Sequence, residues 1–433
     1  MAELKIGTIL KTELGNSVEV LQKLGEGGQG IVYKVSYGGE EKALKWYFRK
    51  ALKNYDLFKS NLINNIEKGS PAKNFLWPID ITYEYDDSFG YVMDMRKKGY
   101  YEFSEYLLKN AVFPSITARI NAAINIVAGF RDLHNKGYIY QDLNDGNFFI
   151  EPKTGDVQIC DNDNVTTANK KLGIAGKCRY MAPEIVVGKA TPSTYSDRFS
   201  LAVILFHLLF MGHPLEGKGT LPPCMTEELE RKYYGENPVF VYDPNDSSNR
   251  PAEGVHKNVI NLWKLYPQYV RDKFIEAFTK EAMIGEGNKR IIEKEWLKLF
   301  ARLRGDIMTC GWCKEETFIS ADQEMNCINC QRQIKIPISI KNKDYNIPLF
   351  PGQRVYYAQI VHDMVNQIEK PFAKIITAKN NPRAWGIRNM SGNKWYVYPP
   401  NGEKEIAKEN GEVLRLAKGL KIEYENGKYI EIG

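Results

Sequence analysis

The sequence has no apolar run long enough to cross a bilayer. The longest, Leu201 to Met211, falls well short of the roughly 20 residues a spanning helix needs. It reads as a buried helix, and no membrane association is expected. The first residues carry no charged-then-apolar signal, which sets the expectation of a cytoplasmic protein. Internal repeats and low-complexity tracts are missing, which excludes repeat arrays and linker-like chains. Charge is not strongly one-sided. The formal net is +6, spread along 433 residues, a mild preference for anionic partners and too diffuse to predict nucleic-acid binding. Cysteines are few. There are seven, an odd number with no secretion signal, which argues for reduced thiols rather than a disulfide framework.

The chain does have length for two or three domains, and its pattern changes along the way. "VEVLQKL", "IVYKVSYG" and "EKALKWYF" alternate like strands. A helix is expected from about Asn54 to Glu67, then two strands in "FLWPIDITYEY" and "FGYVMDM". From "FSEYLLKN" onward the pattern turns helical. "TARINAAINIVAGFRDLHNKG" has apolar residues at three-to-four spacing and ends at a glycine, while "DRFSLAVILFHLLFMG" is apolar nearly all round. This is an α+β chain with a β-rich lobe followed by an α-rich lobe. The last ninety or so residues, with "KWYVYPP" and "KIEYENGKYIEI", read as a small all-β domain.

Several motifs carry chemistry. "LGEGGQGIVYKV" contains Gly25, Gly27, Gly30 and Val32 in a G-x-G-x-x-G-x-V arrangement. A strand follows rather than a helix, so the reading is a glycine-rich hairpin that a phosphate can approach closely. Lys45 follows in a strand, in "ALKW". If it binds phosphates it needs a carboxylate from the next helix. The part of that helix expected to supply it, "SNLINNIEKG", offers Asn61, Asn64 and Asn65, with Glu67 its only carboxylate, and the partner stays open. "YIYQDLNDGNFFI" sets Asp142 and Asn147 five apart, and "VQICDNDNV" ends an apolar strand at Asp161. A polar turn explains each of these locally, but not their order. Ala182, Pro183 and Glu184 come next, then Asp197 at a helix start, where a cap is expected. Arg290 is well placed to pair with Glu184.

Together, from about Val18 to Leu303, these motifs resemble the eukaryotic-like protein kinase family. The resemblance implies a bilobal fold over residues 1–305, with a small lobe of about 1–95 and a large lobe of about 96–305. It implies ATP in the cleft with Mg2+ (or Mn2+). Lys45 would position phosphates, Asp142 would be the catalytic base, and Asn147 and Asp161 would bind the metal. Met93 would be the gatekeeper, with the Asp94 carbonyl and the Arg96 amide meeting adenine. The Ala-Pro-Glu segment and Asp197 favour protein acceptors over small molecules, hence a serine/threonine protein kinase. The resemblance also implies that Asp197 holds the catalytic-loop backbone.

There are departures from the family pattern. Tyr140 stands for a structural His. Gln141 stands for the Arg that grips an activation-loop phosphate, as in non-RD kinases, so phosphorylation of Thr166 or Thr167 is not expected to be the switch. Asn144 stands for a Lys that contacts the transferring phosphate, Asn162-Asp163 completes what is usually D-F-G, and Lys177 stands for a Thr. Gln141, Asn144 and Asn162-Asp163 motivate one alternative, an ATP-binding pseudokinase that scaffolds a complex; a small-molecule kinase is the third reading.

Cys310, Cys313, Cys327 and Cys330 form two C-x-x-C pairs. Four thiolates of this spacing suit a closed structural zinc site, a ribbon over residues 306–340. Removing the metal is expected to loosen residues 306–433. Residues 341–433 faintly resemble a forkhead-associated sandwich but lack its Gly-Arg and Ser-x-x-His pair. "FVYDPNDSSNRP", "NFLWPID" and the adjoining ribbon resemble a bacterial kinase group found in tellurite-resistance-associated gene sets. That resemblance implies a von Willebrand-type domain protein as a partner or substrate and a metal-dependent protein phosphatase as an antagonist.

Overall fold

The computed structural model describes residues 3–167, 176–222, 224–285, 288–321, 324–361, 367–400 and 406–433. The chain forms two compact units. Met1–Phe113, Asn125–Val259 and Phe274–Ile291 make the first; Pro114–Ile124, Ile260–Lys273 and Ile292–Gly433 make the second. Among the described residues no helix is long and apolar enough to cross a membrane.

The first unit opens with an antiparallel sheet. Its strands are β1 (Ile9–Lys11), β2 (Ser17–Gly27), β3 (Gly30–Tyr37), β4 (Glu40–Tyr47), β5 (Asp80–Ile81) and β6 (Gly90–Met93), in the order β1-β2-β3-β4-β6-β5. Period-two alternation sorts their side chains onto two faces. Ile31, Tyr33, Val35, Leu44, Trp46 and Val92 build one apolar cluster. Ala43, Tyr47, Tyr91 and Met93 build another with Phe58 and Leu62 of helix α1 (Tyr55–Lys68). The run from Phe75 to Tyr85 gives only the two-residue β5. Pro78 has no N–H for a ladder, and the Leu76 N–H donates to Ile159 O at 2.8 Å.

Next come β7 (Tyr101–Glu102), α2 (Phe103–Leu107), α3 (Ile116–Asn135), β8 (Tyr138–Tyr140), β9 (Phe148–Ile150), β10 (Val157–Ile159) and β11 (Val165–Thr167). β9 pairs with β10, and β8 with β11. These short ladders clamp the loops that carry the site. After α4 (Pro183–Val186), α5 (Thr194–Phe210) is buried from Phe199 to Phe210, as its all-round apolar sequence requires. Its N-cap is Ser193, in a capping box with Ser196. Asp197 is therefore not the cap that its position suggested. It sits one turn inside, where its carboxylate accepts the Tyr140 N–H at 2.7 Å and lies 3.0 Å from His134 Nε2. The helices α6 (Glu227–Arg231), α7 (Lys257–Leu265), α8 (Gln268–Ala277) and α9 (Lys280–Ile284) follow.

The second unit contains α10 (Glu293–Gly305) and two small hairpins, β12 (Ile307–Thr309) with β13 (Glu316–Phe318) and β14 (Met325–Asn326) with β15 (Gln333–Ile334). Two antiparallel sheets complete it. One runs β17 (Ile347–Pro348), β16 (Ser339–Lys341), β25 (Lys428–Ile432), β24 (Lys421–Glu425), β21 (Trp395–Tyr398), β22 (Ile406–Lys408). The other runs β18 (Arg354–Tyr356), β19 (Pro371–Ala378), β20 (Asn381–Asn389), β23 (Val413–Arg415). They share one apolar cluster that includes Phe372, Ile387, Trp395 and Ile422. The fully buried Trp395 indole donates to Ser391 Oγ at 3.1 Å, so the core leaves that N–H satisfied.

Candidate active site

The glycine hairpin is built as its sequence suggests. Gly27 pairs with Gly30 across a two-residue turn, and Val32 lies opposite both Gly25 and Lys45. A Cβ on Gly30 would come within 2.0 Å of Trp46 O, so only glycine fits there. A Cβ on Gly25, Gly27 or Gly28 would meet nothing within 4 Å. Their surroundings are open, which is the room a phosphate chain needs to reach the backbone.

Lys45 sits on the face of β4 that carries Tyr47 and is 7 % exposed. Its Nζ lies 3.2 Å from Asp161 Oδ1, 2.8 Å from Asp163 Oδ2 and 3.3 Å from Gln29 Oε1. Burial pushes the ammonium pKa down, but the charges of Asp161 and Asp163 outweigh it and hold the group above the ordinary lysine value. No helix carboxylate takes part. Glu67 is exposed, while the buried Asn61 and Asn65 both donate to Val165 O at 2.8 Å.

The loop after β8 is held from several sides. The Asn144 side chain accepts the Gly146 N–H at 2.9 Å, and Asn147 Oδ1 accepts the Asn144 N–H at 2.6 Å. This reciprocal box buries Asn147. The Cys160 N–H donates to Asn147 O at 2.9 Å, which brings Asn147 beside the strand end that bears Asp161. The buried Tyr140 phenol donates to Cys160 O. Asp161 adopts the left-handed conformation, φ 53° and ψ 41°. That backbone is strained for a residue other than glycine and is a recurrent mark of functional turns. Asn162 is fully buried, and its amide donates to Leu76 O and Ile159 O at 2.9 and 2.8 Å.

Asp142 is raised above the ordinary carboxylate value by burial first; the amide of Asn144, 3.2 Å from Oδ1, and the Lys177 backbone N–H act against that rise. A carboxylate with a raised proton affinity is a better proton acceptor near neutral pH. Lys177 Nζ lies 2.9 Å from Asp145 Oδ1. Against the upward push of burial, that ammonium lowers Asp145. Of the adenine-side residues, Met93 pairs with Ala43 at the end of β6. Asp94 Oδ1 accepts from Lys42 Nζ at 2.8 Å, and the Arg96 guanidinium stacks over Phe149 at 4.7 Å.

Glu184 and Arg290 form the expected pair. The guanidinium fork meets both carboxylate oxygens at 2.8 and 2.7 Å. Sequence reasoning did not anticipate Asp163, Tyr47, Gln29, His134 or the anchoring role of Asn61 and Asn65. Two signals were present: α1 offers buried amides where a carboxylate was wanted, and a carboxylate replaces the usual glycine at position 163.

The four cysteines Cys310, Cys313, Cys327 and Cys330 converge in the second unit. Their Sγ atoms all lie within 4.8 Å of one another. Cys310 and Cys330 are 3.8 Å apart and Cys313 and Cys327 3.6 Å. Four thiolates at about 2.3 Å from a central zinc lie about 3.8 Å from each other. The two knuckles repeat one geometry. Lys314 N–H donates to Cys310 O and Gln331 N–H to Cys327 O, at 3.1 and 2.9 Å, with Lys314 and Gln331 both left-handed. The Glu315 N–H is the main reason that the Cys313 thiol falls to about 6, while Cys330, against the pull of the Arg332 N–H, is pushed up to about 11 by burial and the neighbouring sulfurs.

Comparison with known proteins agrees with this geometry. The profile of the protein kinase domain matches residues 18–267. The chain is 26% identical over 233 residues to serine/threonine-protein kinase sgk-1 of Caenorhabditis elegans, covering 52% of this chain and 47% of that protein. It is 27% identical over 207 residues to beta-adrenergic receptor kinase 1 of Homo sapiens, covering 46% and 29%. The probable serine/threonine-protein kinase gdt4 of Dictyostelium discoideum is 29% identical over 199 residues, covering 44% and 12%. The chain thus spans about half or less of the length of these curated relatives. The profile covers more than half of this chain, including Lys45, Asp142 and Asp161, and the chain belongs to the protein kinase family.

Proposed function

We propose that this chain is an ATP-dependent serine/threonine protein kinase that transfers the γ-phosphoryl group to a protein hydroxyl. One observation carries the reading. A buried ammonium, Lys45, meets Asp161 at 3.2 Å, on the sheet face next to a glycine hairpin whose Gly25, Gly27 and Gly28 face open space. That is the donor set for a phosphate chain and its metal. Asp161 and Asn147 would hold magnesium, and both offer hard oxygen atoms. Bound magnesium would neutralise charge on the phosphates. Lys45 would orient the α and β phosphates. Asp142 would orient the acceptor hydroxyl and take its proton. Met93, Asp94 and Arg96 would frame the adenine. The Glu184–Arg290 pair anchors the segment after residue 176, which supports a protein acceptor.

A second reading, an ATP-binding scaffold, rests on Asn144 in the place of a phosphate-contacting lysine. One assay separates them: label transfer from γ-labelled ATP with magnesium, for wild type and Asp142→Ala, with the chain itself and candidate proteins as acceptors. Nucleotide binding without transfer would favour the scaffold.

Sulfur spacings of 3.6 and 3.8 Å fit one structural zinc. Cys310, Cys313, Cys327 and Cys330 would fill its four positions, so the ion would supply folding energy and leave none open for catalysis. We take residues 306–340 as a zinc ribbon and 341–433 as a β-sandwich domain for protein contact. A cytoplasmic bacterial setting, with a von Willebrand-type domain partner and an opposing metal-dependent phosphatase, extends the reading from the sequence resemblance.

A further inference from the structure

We propose that Asp163 is the positioning residue for Lys45, in the place where the family uses a glutamate from the helix after the lysine strand. The inference rests on the kinase reading for the role of Lys45, while the pairing itself is geometric. Asp163 is fully buried. Its Oδ2 meets Lys45 Nζ at 2.8 Å and accepts the Tyr47 phenol at 2.7 Å. A buried carboxylate is strongly unfavourable without a cation, and Lys45 supplies it from below the sheet. The shorter contact goes to the fully buried Asp163, the longer one to Asp161, whose side chain is 43% exposed.

Helix α1 cannot do this work. Its buried polar positions are Asn61 and Asn65, and both amides are engaged by Val165 O. The lysine anchor therefore lies two residues beyond Asp161, in the same turn, Asn162–Asn164. The loop that places Asp161 also fixes Lys45.

The first test needs no turnover. Melting temperatures are measured for Lys45→Met, for Lys45→Met with Asp163→Asn, and for Lys45→Met with Asp161→Asn. Lys45→Met strands a buried charge and should melt lower than wild type. Adding Asp163→Asn should regain at least half of the loss, and adding Asp161→Asn should not. A Lys45→Met, Asp163→Asn protein no more stable than Lys45→Met overturns the proposal, even if Asp163→Asn alone fails to fold.

The second test reads function. At saturating magnesium–ATP, Asp163→Asn should lower kcat for labelling of the chain at least tenfold. In a Lys45→Arg background it should cost less than a further threefold. Equal losses in both backgrounds would mean that Asp163 acts independently of Lys45. A chain that passes the melting test yet transfers no label refutes the kinase reading and not the pairing.

Discussion

Replacing Arg290 by lysine keeps the charge and removes the fork. In the structure all five N–H groups of Arg290 are used. Nη1 donates to Glu184 Oε1 and Tyr195 O at 2.8 and 2.9 Å, Nη2 to Glu184 Oε2 and Met283 O at 2.7 and 3.1 Å, and Nε to Ala282 O at 3.0 Å. Lysine has three donors on one nitrogen and cannot span both carboxylate oxygens. At least two bonds are lost; Ala282 O and Met283 O are buried at these contacts, and Glu184 and Tyr195 O partly so. At about 1–3 kcal/mol for each stranded buried group, Arg290→Lys should cost roughly 3 kcal/mol. In a unit of this size about 1 kcal/mol moves the melting point by roughly 2–4 °C, so a fall of about 6–12 °C is expected. Differential scanning calorimetry of the full chain measures it. Limited proteolysis should also show earlier cleavage near residues 176–187, because Glu184 ties that segment down. A shift below about 2 °C would show that the five bonds do not act together and that the segment is held by something else.

Lys45→Ala, Asp142→Ala and Asp161→Asn should each abolish label transfer from γ-labelled ATP; retention of wild-type rates would show the site is misassigned. Lys45→Ala should also melt lower, since it leaves Asp163 unpaired. Asn144→Ala removes the side-chain bond that opposes the rise of Asp142. The acid limb of kcat/KM, set by the need for an ionised base, should then move to higher pH, and an unmoved limb would refute that role. Thr166 is fully buried in the β8–β11 ladder. Thr166→Ala with Thr167→Ala should change basal turnover less than tenfold, and phosphopeptide mapping should find no phosphate on Thr166. Elemental analysis should find one zinc per chain and a loss of it in Cys327→Ser. Chelation should expose residues 307–334 to protease, but the loosening expected from the sequence to run on to residue 433 should stop there, because the sheets from β16 to β25 have their own core. Protection of the whole region after chelation would refute the structural role.

Much of this was legible in the chain itself. The strands β2, β3, β4 and β6 of the first sheet, with α1, α3 and α5, follow from apolar periodicity, a local property that neighbours along the sequence enforce. The glycine hairpin was legible because the residues on each side of it pair with one another. The cysteine knuckles were legible because each is a turn of four residues. The misreadings lie where local propensity met a distant competitor. Phe75 to Tyr85 alternates like a strand, yet Leu76 hydrogen-bonds to Ile159. Asp197 looks like a cap, yet Ser193 takes that place, and the aspartate accepts the Tyr140 N–H and meets His134, in keeping with the hold on the catalytic-loop backbone that the family resemblance implies.

By itself the sequence determined the order of the motifs, and with it the kinase family, the candidate lysine, the candidate base and the cysteine quartet. Only the tertiary structure decided which carboxylate holds Lys45. The carboxylate that the expected part of α1 offers, Glu67, is exposed, and the one that meets Lys45 is 118 residues away. The reason is burial. A carboxylate with no access to water must find a cation, whatever the sequence separation, and the asparagines of α1 have no charge to offer. Chain proximity sets which groups can meet cheaply, but desolvation sets which must.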